Sequence, residues 1–196
     1  MTVETLAYRL GCLIHWMPRE KVIRKGLMAL PASVTQGARL LDLGSGLGQL
    51  SRLASELGLG YAGLEPDDAL RAEAARDFPE AAFLALGAEQ LHKEIRPGDV
   101  VVLNGVAHHL DDKLFAATLE AARGARALVL CDHLRLEGKT HPLATFLQNR
   151  DRGQFVRPYE DLGSPAGFVL RSSEFFGIGP LGMPWWTYFC NVYTTS

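Results

Sequence analysis

The run Arg39-Leu40-Leu41-Asp42-Leu43-Gly44-Ser45-Gly46-Leu47-Gly48-Gln49-Leu50 joins an apolar segment to three alternating glycines. Glycines at this spacing let the backbone approach a ligand closely. The apolar positions Leu47, Leu50, Leu53 and Leu57 continue at helical period, so the glycines occupy a strand-to-helix junction. A helix N-terminus at such a turn presents N–H groups and a positive dipole end to a polar ligand. Two ligand classes are excluded. A dinucleotide fingerprint counted from Gly44 requires glycine at position 49, where Gln49 stands. No lysine followed by Ser or Thr closes the run as a phosphate loop. Asp42, two residues before the first glycine, would repel phosphate and attract a cation. A second acid, Glu65, ends the run Leu59–Leu64, and at the tip of a neighbouring strand it can accept hydrogen bonds from both hydroxyls of a ribose.

Further chemistry-bearing residues follow later apolar runs. Asn104-Gly105-Val106-Ala107-His108-His109-Leu110 closes one, and Cys131-Asp132-His133 closes another. Imidazole titrates near neutrality, so His108 or His133 is a candidate general base, and His109 a candidate for contact with substrate. One of the adjacent pair His108 and His109 has the alternative role of a structural capping or core histidine.

These residues need a scaffold of alternating strands and helices. Strands are predicted near 38–43, 60–65, 81–86, 99–104 and 126–132, and helices near 46–57, 67–77, 88–94 and 111–123. Such alternation implies right-handed crossovers and a parallel sheet covered on both faces. The segments 168–176 and 185–193, separated by Gly177, Gly179, Pro180, Gly182 and Pro184, suit an antiparallel hairpin. The expected fold is therefore α/β, a Rossmann-like, seven-stranded, mostly parallel sheet with an antiparallel C-terminal hairpin and helices on both faces. One domain spans 1–196: a helical cap (1–36) broken at Pro18, a cofactor-binding core (37–133), a substrate lid (134–166) with a helix over 141–151, and the closing hairpin (167–196). Ligands of open α/β sheets bind beyond the strand C-termini, where all the residues above fall.

Composition sets wider bounds. The chain of 196 residues is 47% hydrophobic and 21% charged, as in an ordinary globular domain, and its net charge of −2 offers no general attraction to nucleic acid. Cys12, Cys131 and Cys190 lack metal-ligand spacing, and the last two lie in apolar runs as expected of free thiols in a reducing compartment. Glu4 and Arg9 make the N-terminus a poor signal peptide, and no run is long enough to span a bilayer. The expectation is a cytoplasmic monomer or homodimer acting on a small molecule.

The pattern Asp42-x-Gly44-x-Gly46-x-Gly48, with Glu65 after the second strand, resembles the S-adenosylmethionine site of class I methyltransferases. The resemblance implies that Gly44, Ser45 and Gly46 pass beneath the methionine part of the cofactor. It further implies that Asp42 orients that backbone or accepts from the ammonium, that Glu65 takes the ribose, and that Pro66 stiffens the turn. Leu86-Gly87-Ala88-Glu89-Gln90-Leu91 is similar to the Gly-Asp-Ala-Glu-x-Leu stretch of the ubiquinone- and menaquinone-biosynthesis type, whose aspartate accepts from the adenine amino group. Gly87 stands in place of that aspartate. Ala88 keeps its N–H, and Glu89 or Gln90 is the candidate replacement acceptor. Asn104 and Gly105 would meet the cofactor ammonium, and the His-His-Leu triplet matches the same family.

Asp151, Gly153, Val156 and Arg157 resemble a stretch of related bacterial enzymes. Arg157 would there either clamp an acidic substrate group or pin the lid, beside Phe146 and Tyr159 as further substrate candidates. Trp16, Phe155, Trp185 and Trp186 complete an aromatic set that either lines a pocket or packs the core. Asn104 with Asp132 only poorly matches the metal ligands of catechol-type methyltransferases, so no metal is expected. The implied reaction is methyl transfer to a small, partly hydrophobic metabolite. A non-methylating cyclisation or rearrangement on the same cofactor, or a non-catalytic partner role, are the rival readings.

Overall fold

The computed structural model describes residues 3–134, 154–162, 165–179 and 186–195, with side chains of the first helix described from Trp16 onward. In chain order the elements are α1 (Val3–Met28), α2 (Ala32–Thr35), β1 (Arg39–Leu43), α3 (Leu50–Glu56), β2 (Gly60–Leu64), α4 (Asp68–Asp77), β3 (Ala82–Leu84), α5 (Leu91–Glu94), β4 (Val100–Asn104), α6 (Asp112–Ala122), β5 (Ala127–His133), α7 (Tyr159–Leu162), β6 (Phe168–Ile178) and β7 (Trp186–Thr195). The strands form one sheet in the order β3-β2-β1-β4-β5-β7-β6. β1 to β5 run parallel, and β7 inserts antiparallel between β5 and β6. The order reverses between β1 and β4, and this switch point is where the strand ends splay to admit a ligand.

Alternation along the buried strands divides the core into two layers. Leu128 and Leu130 of β5 join Leu41, Leu43, Leu103, Leu91 and Phe115 under α5 and α6. Ala127, Val129 and Cys131 join Leu40, Val100 and Val102, with Ile23 and Leu27 of α1 and Leu50 and Leu53 of α3, on the other face. Both faces are covered, as expected for a mostly parallel sheet. Among the described residues no helix is long and apolar enough to cross a membrane.

The expected seven strands and hairpin are present, with three differences of extent. Helix α1 runs through Pro18 instead of breaking there. A proline ring removes one intrahelical hydrogen bond, and burial of Val22, Ile23 and Leu27 offsets that loss. Helix α3 begins at Leu50, later than expected, because Gly44, Gly46 and Gly48 take φ of +68°, +54° and +73°, which no right-handed helix accommodates. The segment 88–94 is a 3₁₀ turn, Ala88–Gln90, followed by the single turn α5. The expected helix over 141–151 lies outside the described residues.

Candidate active site

The turn after β1 is tied to the end of β2. Gly44 and Ser45 both donate their N–H to Leu64 O, at 2.8 and 3.1 Å. Gly46 N–H donates to Glu65 Oε2 at 2.8 Å, and Asp67 N–H donates to Glu65 Oε1 at 3.0 Å. The N–H groups expected to face a ligand are thus spent within the chain, and they hold the Glu65 carboxylate fixed. Each carboxylate oxygen retains acceptor capacity beyond one hydrogen bond. Asp67, not Glu65, caps α4, accepting from Ala69 and Leu70 N–H. Pro66 is exposed beside it.

Asp42 is 2% exposed and accepts the Tyr61 hydroxyl proton at 2.8 Å. Burial pushes its carboxyl up to about 7; the Tyr61 bond opposes that shift, Glu65 adds to it, and the charge of Arg19 counters it. Arg19, which sequence reasoning missed, reaches from α1 to donate Nη1–H to Asn104 Oδ1 at 3.3 Å and lies over the Tyr188 ring. A Cβ on Gly105 would lie 2.5 Å from Arg19 Nη1, and its φ of +68° favours glycine there. No motif flags Arg19, because its position depends on how α1 crosses the sheet.

Past β3, Gln90 Oε1 accepts the Gly87 N–H at 3.1 Å. The Glu89 carboxylate lies 2.5 and 2.7 Å from where a Cβ on Gly87 would stand. Of the two candidate replacement acceptors, Gln90 is engaged in the turn, and Glu89 fills the volume of the absent side chain.

Past β4 and β5 two histidines converge on one acid. His108 Nδ1 is 2.7 Å from Asp132 Oδ1, and His133 Nδ1 is 3.3 Å from the same oxygen. Backbone N–H groups of His108 and His133 donate to Asp132 at 3.1 and 2.8 Å. The rings of His108 and His133 lie 4.3 Å apart, and the exposed His109 ring lies tilted at 41°, 4.1 Å from His108. Burial raises the Asp132 carboxyl, but the charge and hydrogen bond of His108 and the bond from His133 outweigh it and hold it below the usual carboxylate range. His108, Asp132 and His133 carry the donor types of a transition-metal site, with one ligand atom from each within 4.8 Å of the others. Asp132, which the sequence matches only poorly to a metal ligand beside Asn104, is engaged by the two imidazoles.

A narrow cleft beside this cluster is lined by Ala107, His108, Asp132, His133, Phe155, Arg157 and Leu162. Arg157 is held in its wall by many partners. It donates to Ala107 O, Leu110 O and Phe155 O at 2.8, 2.7 and 3.2 Å, and to Asp112 Oδ1 through both Nε and Nη2. Of the two roles open to Arg157, this geometry fits the pin that fastens residues 155–157 to the body. Tyr159 packs edge-on against Phe175 and Phe189, and its hydroxyl accepts from Asn191 Nδ2 at 3.1 Å. Phe146 and Trp185 lie outside the described residues. A larger cavity, about 660 Å³, is lined by Arg157, by Phe115 and Leu119 of α6 and Arg123 just after it, and by Leu162 and Pro165.

A family model described as a methyltransferase domain matches residues 13–159, well over half of the chain. The chain belongs to the methyltransferase-domain family. Its class I architecture is shared with solved structures at low sequence identity. A cyclopropane synthase from Mycobacterium tuberculosis is 17% identical, with 89% of this chain and 83% of that one covered and a TM-score of 0.69. A SAM-dependent methyltransferase from Leishmania major is 18% identical, covering 94% and 76%, with a TM-score of 0.67. A [4+2]-cyclase is 17% identical, covering 88% and 80%, with a TM-score of 0.63. Among curated proteins, no sequence matches the chain. Within this methyltransferase domain the acids at the tips of β1 and β2, the glycine turn and the two-histidine cluster all fall at the C-terminal edge of the sheet.

Proposed function

We propose that this methyltransferase domain binds S-adenosylmethionine across the ends of β1, β2, β3 and β4, and methylates a small, partly hydrophobic metabolite or natural-product intermediate. The donor set fits that cofactor. Glu65 is held rigidly where ribose hydroxyls can donate to it. Asp42, Asn104 and the Gly105 carbonyl suit an ammonium, with Gly44, Ser45 and Gly46 lying beneath the methionine part and Pro66 stiffening the ribose turn. Gly87, Ala88 and Glu89 meet the adenine. A phosphate would face two carboxylates instead.

The observation that carries the catalytic reading is the 2.7 Å contact between His108 Nδ1 and Asp132. When bound, the cofactor supplies an electrophilic methyl group, so the protein has to align the acceptor, exclude water and remove the acceptor's proton. Asp132 fixes the tautomer that carries the proton on Nδ1, which places the His108 lone pair on Nε2. His108 takes the proton from a hydroxyl, or a comparably acidic group, as its oxygen attacks. The carboxylate then balances the imidazolium. His133, bonded to the same acid, is the second candidate base. His109 borders the acceptor, Arg157 fixes the wall beside it, and Tyr159 and Phe146 are the remaining candidates for substrate contact. The partner is a small molecule, and the domain works as a monomer or homodimer in the cytoplasm.

Incubation with methyl-labelled cofactor and a panel of small phenols and quinols tests the proposal. Label should enter an acceptor, and His108→Ala should lower that rate by about 10²- to 10⁴-fold while leaving affinity for S-adenosylhomocysteine within about threefold. A rearranged acceptor without label would favour the second reading, a non-methylating step such as the one named for the [4+2]-cyclase neighbour.

A further inference from the structure

Asp132 has more neighbours than its acceptor sites can serve. A carboxylate oxygen offers about two lone-pair sites, yet three nitrogens crowd Oδ1: His108 Nδ1 at 2.7 Å, the His133 backbone N at 2.8 Å and His133 Nδ1 at 3.3 Å. A fourth, the His108 backbone N, donates to Oδ2 at 3.1 Å. His108, Asp132 and His133 are only 7%, 2% and 5% exposed, so the crowding is not relieved by solvent. A buried carboxylate with two imidazoles on one oxygen is a place where a single cation can replace two competing hydrogen bonds.

The distances suit a borderline transition metal. Zinc binds imidazole nitrogen and carboxylate oxygen at about 2.0–2.2 Å in tetrahedral geometry, which sets neighbouring ligand atoms about 3.3 Å apart. His133 Nδ1 and Asp132 Oδ1 already stand at 3.3 Å, and His108 Nδ1 has to draw back from Oδ1 by about half an ångström. Oδ1 would then hold the metal and the His133 backbone N–H, one on each lone pair. The two backbone N–H groups would keep the carboxylate oriented, as hydrogen bonds to ligating carboxylates do. Three protein ligands leave a fourth position, and the cleft lined by Ala107, Phe155 and Leu162 adjoins the cluster. Asn104 takes no part in this set. Its Oδ1 accepts from the Arg19 guanidinium, a positive charge that excludes a second cation there.

We propose that His108, Asp132 and His133 form a site for a divalent cation of the zinc type, bound through both Nδ1 atoms and Asp132 Oδ1, and that this cation switches off the base at His108. The second half rests on the general-base reading above. A neutral imidazole carries one proton. With metal on Nδ1 that proton sits on Nε2, and the lone pair that would take the acceptor's proton is gone. Metal binding and proton transfer are therefore mutually exclusive uses of one ring. Imidazole donors favour zinc, cobalt(II) or nickel(II) over magnesium, which prefers oxygen ligands and retains its water.

Cobalt(II), titrated into the chelator-stripped full chain, is the probe, because its visible absorption reports tetrahedral ligation. Wild type should bind one equivalent saturably; zinc should displace it, and magnesium in roughly 100-fold excess should not. His133→Ala should weaken binding by more than about 100-fold, beyond the loss expected of a group that only orients a ligand. His133→Gln serves if the alanine variant does not fold. His92→Ala, at an exposed histidine of α5, should change affinity by less than about twofold. Absence of saturable binding by wild type, or unchanged affinity in the His133 variant, overturns the site. So does an intense near-ultraviolet sulfur-to-cobalt band, which would place the metal on Cys131 and Cys190. In the labelled-cofactor incubation, zinc should suppress transfer over the concentration range in which it displaces cobalt. Metal binding with transfer unaffected overturns the inhibitory half. A metal-free chain that binds cobalt but transfers no label refutes the base reading, and the inhibitory half with it, while the metal site stands.

Discussion

The Glu89 carboxylate occupies the space that a side chain on Gly87 would enter, with its oxygens 2.5 and 2.7 Å from the position of the missing Cβ. The two positions therefore share one volume, and on the proposed reading an acid arriving from either would face the adenine. Gly87→Asp alone should lower affinity for S-adenosylhomocysteine, because two carboxylates would crowd one site. Gly87→Asp combined with Glu89→Ala should restore it to within about threefold of wild type, and Glu89→Ala alone should weaken it by roughly tenfold. Calorimetry on the three variants reads this coupling directly. Additive effects in the double variant would show that the positions are independent.

In the proposed mechanism Asp132 acts through His108, so its removal should leave a signature in the pH profile. In Asp132→Asn the His108 imidazole loses the carboxylate charge at its Nδ1. The acidic limb of the rate profile should move to lower pH while the plateau falls by about 10²-fold or more. A variant that loses rate with no shift of that limb would point to a purely structural acid.

Asp42 predicts a second pH effect of opposite origin. Burial raises its carboxyl to about 7, from a usual value near 4 in the unfolded chain. Between those values the folded state keeps a proton that the unfolded chain releases, so Asp42's contribution to stability is full below the lower value and is lost as pH rises through the upper one. Asp42→Asn should flatten this decline in thermal melts between about pH 4 and 7. Binding of a cationic ligand should also expel the proton, which calorimetry in buffers of different ionisation enthalpy would detect near neutral pH.

Arg157 should be a stability residue. It satisfies the buried Ala107 and Leu110 carbonyls, and its guanidinium lies 4.6 Å from the Phe115 ring centroid. Arg157→Met should destabilise the fold by about 2–4 kcal/mol, since buried carbonyls would lose their donors. Asp112, the exposed partner in the same ion pair, should cost less than about 1 kcal/mol when changed to Ala. Chemical denaturation of both variants checks the contrast.

Much of this arrangement was legible in the sequence because it is written in local pattern. Leu40, Leu41 and Leu43 mark a buried strand, Gly44 to Gly48 mark the turn, and the pair Asp111-Asp112 marks a helix start, where the structure shows Asp111 accepting from Leu114 N–H. The acids at 42 and 65 could be assigned to neighbouring strand tips because strands in such a fold follow a fixed connection rule. Other relationships depend on distances between elements remote in the chain. Arg19 meets Asn104 only because α1 packs across β5 and β7, and Asp132 meets His108 only because β4 and β5 are adjacent. The break expected at Pro18 did not occur, since tertiary burial outweighs a local propensity. Arg157 carried two readings in sequence because only the count of its partners separates a clamp from a pin.

On the proposed reading the turn at Gly44–Gly48 and the acid at Glu65 hold an adenosyl ligand. Calorimetric titration with S-adenosylhomocysteine, wild type against Glu65→Ala, tests it most directly. Wild type should show saturable one-site binding, and Glu65→Ala a loss of at least about tenfold. Absence of binding by wild type, or the same affinity in both proteins, would contradict it.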